Sequence, residues 1–245
     1  MTATELGLLH AAIAVIAFLY SAVGHAGASG YIAVLTLAGL ASAVVRPTSL
    51  VLNILVATLT SFQFWRAGHF SWARFWPFAA LSVPGAFVGG YIDVPTEIFK
   101  ALIGGVLLLS AARFAVRTAD PGETRPPSRP TALLVGAALG LLSGLTGTGG
   151  GVFLTPLMLL LGWARTKETA AVSALFILVN SIAGLTGFLS SGRPLPTFTW
   201  GLAVVAVVAG FAGSYLGSRR FPVRTIRLLL AVVLLIAGTK LLFGF

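Results

Sequence analysis

The chain has 245 residues, of which 57% are hydrophobic and 9% charged, with a mean hydropathy of +0.98 and a formal net charge of +10. So little polar surface cannot coat a water-soluble globule, and the composition reads as a membrane protein. The 16 Lys and Arg stand singly or in small groups between apolar runs, a topology signal rather than a nucleic-acid stripe, and the absence of cysteine excludes disulfides, thiolate metal sites and a cysteine nucleophile.

Ten apolar segments are predicted, at residues 6–23, 31–45, 47–65, 75–92, 98–116, 131–145, 151–163, 169–189, 197–217 and 224–243. The opening residues carry an acid and no basic n-region, so no cleaved signal peptide is expected. The first segment runs into Gly24-His25-Ala26-Gly27-Ala28-Ser29-Gly30, and the second then has only 15 residues. The third carries Asn53 and Thr60, with Gln63 a weaker candidate, and Asp93 and Glu97 lie at segment ends. Residues 118–130 hold four of the twelve prolines and several charges, which marks a linker between a first repeat, 1–117, and a second, 131–245. In the second half Gly144-Leu145-Thr146-Gly147-Thr148-Gly149-Gly150-Gly151 interrupts segments of 15 and 13 residues, and Ser173, Asn180 and Ser181 follow in the eighth. At an offset of 120, Gly24, Gly27 and Gly30 fall on Gly144, Gly147 and Gly150, while Asn53 and Thr60 fall on Ser173 and Asn180.

With ten alternating segments the basic residues divide 12 to 4, whereas eight crossings divide them 8 and 8. The positive-inside rule therefore places the linker in the cytoplasm and both termini outside, and five segments per half make the repeats inverted. A full span needs ~20 helical residues. The short glycine-broken pairs are thus expected to be hairpins that turn back within the membrane, one from each side, with tips meeting near the midplane.

Glycine at such tips lets the backbone adopt positive φ and turn several N–H groups into one concavity, where the next helix also directs its positive dipole end. That builds an anion site without a fixed charge; close helix packing is the alternative use of the same glycines. Thr155-Pro156 offers a cap and first-turn pair for the second half-helix, unless that helix begins at Gly151. Asn53 and Thr60, like Ser173 and Asn180, are seven residues apart and share a helix face, toward either a substrate's oxygens or a neighbouring helix. His25 is the ionisable residue in an expected midplane loop, where it would accept a proton or donate to the anion.

The segment 144–161, GLTGTGGGVFLTPLMLLL, followed by 169–181, resembles the repeated signature of the TauE/SafE sulfite-exporter family. The likeness runs over essentially the whole chain, although His25, Ala28 and Ser29 replace expected glycines or apolar residues and Thr36 stands where the family's proline often falls. It implies transport of sulfite, sulfonates, sulfoacetate or related anions across a bacterial inner membrane. Two other readings compete. Gly27-Ala28-Ser29-Gly30 is like the G-x-S-G string of rhomboid intramembrane proteases, but no histidine follows His69 to serve as base. A five-plus-five drug and metabolite exporter shares the inverted plan without needing twin glycine tips.

The expectation is an all-α polytopic carrier of one membrane domain, working by alternating access. Its substrate site is expected at Gly24, His25, Gly27, Ser29, Gly30, Asn53, Thr60, Gly147, Thr148, Gly149, Gly150, Gly151, Ser173 and Asn180. No catalytic residue, metal or cofactor is expected. The expected partners are a small anion, the lipid bilayer and protons or another coupling ion, with no nucleic acid.

Overall fold

The computed structural model describes residues 3–92, 107–109, 111–112, 114–116, 119–120, 123–196 and 199–243. Among the described residues 81% are helical and none forms a strand. The helices are α1 (Ala3–Ala22), α2 (Ala28–Leu37), α3 (Ser42–Arg66), α4 (Trp72–Tyr91), α5 (Leu107–Val116), α6 (Arg129–Thr146), α7 (Gly151–Leu160), α8 (Thr166–Ser190), α9 (Thr199–Tyr215) and α10 (Val223–Phe243). A π turn, Leu216–Arg220, closes α9. Much of the fifth apolar segment, with Asp93 and Glu97, lies outside the described residues.

Among the described residues, five helices are long and apolar enough to cross a membrane: Thr4–Ala22, Ala43–Arg66, Arg129–Thr146, Thr166–Ser190 and Thr199–Arg220. Two of these form the centre, since 61% of the apolar window of α3 and of α8 is buried, against 28% for α6. Around them α4 packs on both α6 and α8, and α9 packs on α1 and α3. Small residues make the outer contacts close. Gly136, Gly140 and Gly144 of α6 lie directly against the carbonyls of Phe78, Ser82 and Ala86 of α4, so a methyl at any of them would strike backbone.

The two glycine breaks separate long helices from half-helices. α1 ends with His25 N–H on the Tyr20 carbonyl (2.8 Å) and Gly24 N–H on that of Ser21 (3.1 Å), a Schellman closure with Gly24 at φ 83°. α6 ends at Gly147, φ 74°, whose N–H donates to the Ser143 carbonyl at 2.9 Å. Three residues after each of these glycines stands another in the left-handed region, Gly27 (φ 113°) and Gly150 (φ 78°), as the N-cap of a ten-residue helix. Side chains rarely adopt that conformation, so the chain can reverse there within four residues only because glycine is present. At ~15 Å the half-helices α2 and α7 cover half of a ~30 Å hydrocarbon core.

The segment limits differ from the expected ones for definite reasons. α3 begins at Ser42 and contains Pro47 in its second turn, where a proline forfeits only one backbone bond of the helix. α7 begins at Gly151, so Thr155 and Pro156 lie within it rather than at its cap. The breaks correspond at an offset of 123, Gly24 with Gly147 and Gly27 with Gly150, instead of 120.

Charged residues gather at one end of the bundle. Arg74 pairs with Glu168 and donates to Thr124 Oγ1 (3.2 Å), while His69 Nε2 and Lys167 Nζ meet the Ser218 carbonyl at 3.0 and 3.4 Å. Arg227 pairs with Asp120 at 3.1 Å, and Asp120 also accepts the backbone N–H of Thr166 at the start of α8. At the other end Arg46 and Arg193 both donate to the Gly90 carbonyl, at 3.3 and 2.8 Å.

Candidate functional site

The two hairpins reach into the bundle from opposite ends of α8. Gly24 lies against Ala170, about one turn from the start of α8, whereas Gly144 lies against Gly90 and Gly147 against Arg46 near the other end. The tips therefore overlap beside the middle of α8. His25 Nε2 lies 2.9 Å from the Gly151 carbonyl, a hydrogen bond that joins the first break to the first residue of α7. Ile177 lines the junction: it belongs to the same apolar cluster as Ala26 and Tyr31, and a Cβ at Gly149 or Gly151 would collide with it.

Asn53 of α3 and Ser181 of α8 close the second tip. Asn53 Nδ2 donates to Ser181 Oγ at 3.3 Å, and both atoms lie just beyond Gly149, within 2.9 Å of where its Cβ would stand. Thr148 is 8% exposed and exchanges a hydrogen bond with Thr146 at 2.8 Å. Neither α2 nor α7 has a side-chain cap. Their first N–H groups have no acceptor within the helix, and each helix presents the positive end of its dipole.

Several expected site residues are placed elsewhere. Gly30 packs on Ile16 of α1, and Ser29 donates to the Tyr20 hydroxyl at 3.0 Å rather than to a histidine. Ser29 consequently has no base at its hydroxyl, which removes the geometric basis of the protease reading. Thr60 donates to the Val56 carbonyl of its own helix, and Ser173 accepts from Thr155 at 2.7 Å in the α7–α8 contact. Asn180 donates to the Phe176 carbonyl one turn back. The proposed matching of Asn53 with Ser173 and of Thr60 with Asn180 also shifts: α3 and α8 each have 25 residues and begin 124 apart, at Ser42 and Thr166, so Asn53 corresponds to Ile177.

The structure adds residues that the sequence reading passed over. Arg46, taken as a topology charge, donates to the carbonyls of Gly89 (2.6 Å), Gly90 and Gly144, which fastens α3 to α4 and to the helix leading into the second tip. Its place just before Pro47, in an otherwise apolar helix start, was the available signal. Among buried polar atoms, His25 Nδ1, the Tyr31 hydroxyl, Asn53 Oδ1 and Asn180 Oδ1 have no hydrogen-bond partner. Buried polar atoms are normally paired; the His25, Tyr31 and Asn53 atoms lie at the two helix breaks, while Asn180 Oδ1 in α8 and the Ser49 and Ser61 hydroxyls in α3 are likewise unpartnered. No group of three or more metal-ligating side chains occurs among the described residues.

Long apolar helices around two interlocked helix breaks define a multi-pass membrane protein with a buried polar junction. Comparison with known proteins is specific: the sequence profile of the sulfite exporter TauE/SafE family matches residues 9–241, and the chain belongs to that family. It is 41% identical to a probable membrane transporter protein, y4hK, of Sinorhizobium fredii over 98% of this chain and 99% of that one. The probable membrane transporter protein MJ0441 of Methanocaldococcus jannaschii is 23% identical over 80% of this chain and 77% of its own length. The probable membrane transporter protein MamO of Magnetospirillum gryphiswaldense is 23% identical over 76% of this chain, which spans 36% of that longer protein. No solved structure gives a significant match.

Proposed function

We propose that this chain is a secondary transporter that moves a small sulfur-containing anion, such as sulfite, a sulfonate or sulfoacetate, across the bacterial inner membrane by alternating access. The observation that carries the reading is the junction of the two glycine-capped half-helices, linked by His25 and the Gly151 carbonyl at 2.9 Å. Two uncapped helix N-termini beside one buried junction favour an acceptor-only, negatively charged ligand without placing a fixed positive charge in the membrane. The family's description as a sulfite exporter narrows that ligand to sulfur oxyanions.

The halves, 1–117 and 131–245, are inverted repeats in this account. Equal half-helices, equal central helices and hairpins entering from opposite ends of α8 support it. The end carrying the linker and most of the basic residues faces the cytoplasm, which leaves both termini in the periplasm. Protons or another ion supply the coupling. A thermal-shift panel of sulfite, sulfate, thiosulfate, sulfoacetate, taurine and aromatic sulfonates on detergent-purified protein tests the reading. Stabilisation by one or more sulfur oxyanions is the expected result; stabilisation by none of them, but by neutral metabolites run alongside, would overturn it in favour of a metabolite exporter.

A further inference from the structure

We propose that the hydroxyl of Tyr31 is a direct ligand of the transported oxyanion at the N-terminus of α2. The inference rests on the transport reading above and names a residue that meets the anion there. Tyr31 is the fourth residue of α2, and a helical aromatic side chain runs back toward the helix N-terminus. Here it reaches the cap itself: a Cβ on Gly27 would stand 2.6 Å from Tyr31 Cζ and 2.8 Å from its hydroxyl oxygen. The absence of a side chain at residue 27 is what leaves room for the phenol.

The surroundings direct that hydroxyl to a ligand. The first helical bond of α2 is Tyr31 N–H to the Gly27 carbonyl at 2.8 Å, so the N–H groups of Ala28, Ser29 and Gly30 precede it and have no acceptor within the helix. The hydroxyl lies beside this set. Tyr31 is 0% exposed, yet its hydroxyl has no hydrogen-bond partner. Buried tyrosines ordinarily find one. The neighbouring hydroxyls contrast with it, since Ser29 is engaged with Tyr20 at 3.0 Å and Tyr20 reaches the Val233 carbonyl at 3.5 Å.

An oxyanion fits this donor set. The oxygens of sulfite or of a sulfonate accept from both the phenol and the N–H groups, whereas a cation would oppose the positive end of the helix dipole. Leu35, Leu52 and Val56 share the apolar cluster around the ring, so a hydrogen bond made there is little weakened by water. A neutral phenol also binds a permanently ionised sulfonate as readily as sulfite, which makes the two anions useful probes of one site.

The test compares wild type, Tyr31→Phe and Gly27→Ala in detergent, with sulfite and methanesulfonate titrated by calorimetry and unliganded thermal midpoints measured in parallel. Tyr31→Phe should weaken both anions about 10- to 100-fold, the span of one hydrogen bond to a charged group. Its unliganded midpoint should equal or exceed that of wild type, because the lost hydroxyl had no partner to lose. Gly27→Ala, which crowds the phenol, should weaken both anions as well. Unchanged affinity in Tyr31→Phe, or a lowered unliganded midpoint showing that the hydroxyl is bonded within the fold, would overturn the assignment while leaving the transport reading intact. A wild-type protein that binds neither these anions nor any sulfur oxyanion would overturn the transport reading itself.

Discussion

Alanine at Gly149 perturbs the second tip in a way whose size follows from its surroundings. Gly149 has φ 72°, and an L-residue held in that region costs about 1–2 kcal/mol. Its new Cβ would stand 2.8 Å from Ile177 Cγ2 and Ser181 Oγ and 2.9 Å from Asn53 Nδ2, so the Asn53–Ser181 hydrogen bond must part. A lost buried hydrogen bond adds about 0.5–1.5 kcal/mol, for a total of about 1.5–3.5 kcal/mol. Gly39→Ala is the matched comparison: Gly39 has φ 78°, but nothing lies within 4 Å of an added Cβ, so only the backbone strain applies. Reversible unfolding in mixed micelles should give Gly149→Ala a loss about 1 kcal/mol larger than Gly39→Ala. Calorimetry with sulfite or methanesulfonate should show binding retained in Gly39→Ala and abolished in Gly149→Ala. Equal destabilisation of the two variants, with binding intact in both, would refute the view of Gly149 as part of a crowded anion site.

Other outcomes follow from contacts outside the tips. Arg46→Leu should lower stability by about 2–4 kcal/mol in the same unfolding assay, because the Gly89, Gly90 and Gly144 carbonyls lose a charged donor; an unchanged midpoint would remove Arg46 as the fastener of α3 to α4 and α6. Asp120→Ala leaves the buried Arg227 guanidinium without its carboxylate and Thr166 N–H without its acceptor, with a cost of about 3–5 kcal/mol; tolerance of this change would show that the linker is not fixed to the bundle. The Glu123 side chain is 86% exposed, so Glu123→Cys in this cysteine-free chain provides a single labelling site, expected to react only after the cytoplasmic face is opened. Labelling of that cysteine from outside intact cells would reverse the orientation.

The glycine breaks were legible in the sequence because left-handed backbone demands a residue type that a single chain displays openly. Gly24, Gly27, Gly147 and Gly150 all lie in that region. Their register was harder to read, since Gly30 and Gly144 look the same in sequence but serve close packing, against Ile16 and against Ala86 and Gly90. Aligning those packing glycines with turn glycines displaced the correspondence by one helical turn and carried Asn53 and Thr60 onto the wrong residues of α8. Hydropathy alone also could not tell that Pro47 and Pro156 sit inside helices. The polar side chains were found as residue types but not as contacts. That Asn53 meets Ser181, that Thr60 turns back on its own helix and that Ser29 is held by Tyr20 depend on how α1, α3 and α8 approach one another, which periodicity within one helix does not specify. Tyr31 and Arg46 escaped for the same reason: Tyr31 lies beside the turn at Gly27 and Arg46 reaches carbonyls of α4 and α6, placements that sequence spacing does not specify.

The central claim is that a sulfur oxyanion binds where the two half-helix N-termini meet, and selenite, a heavier analogue of sulfite, locates that site directly. Anomalous scattering at the selenium edge from crystals soaked in selenite should place one site within hydrogen-bonding reach of the first N–H groups of α2 and α7, beside His25 and Tyr31. Selenium found instead only at the bundle ends, at Arg46 and Arg193 or among the basic residues near the linker, would contradict the account.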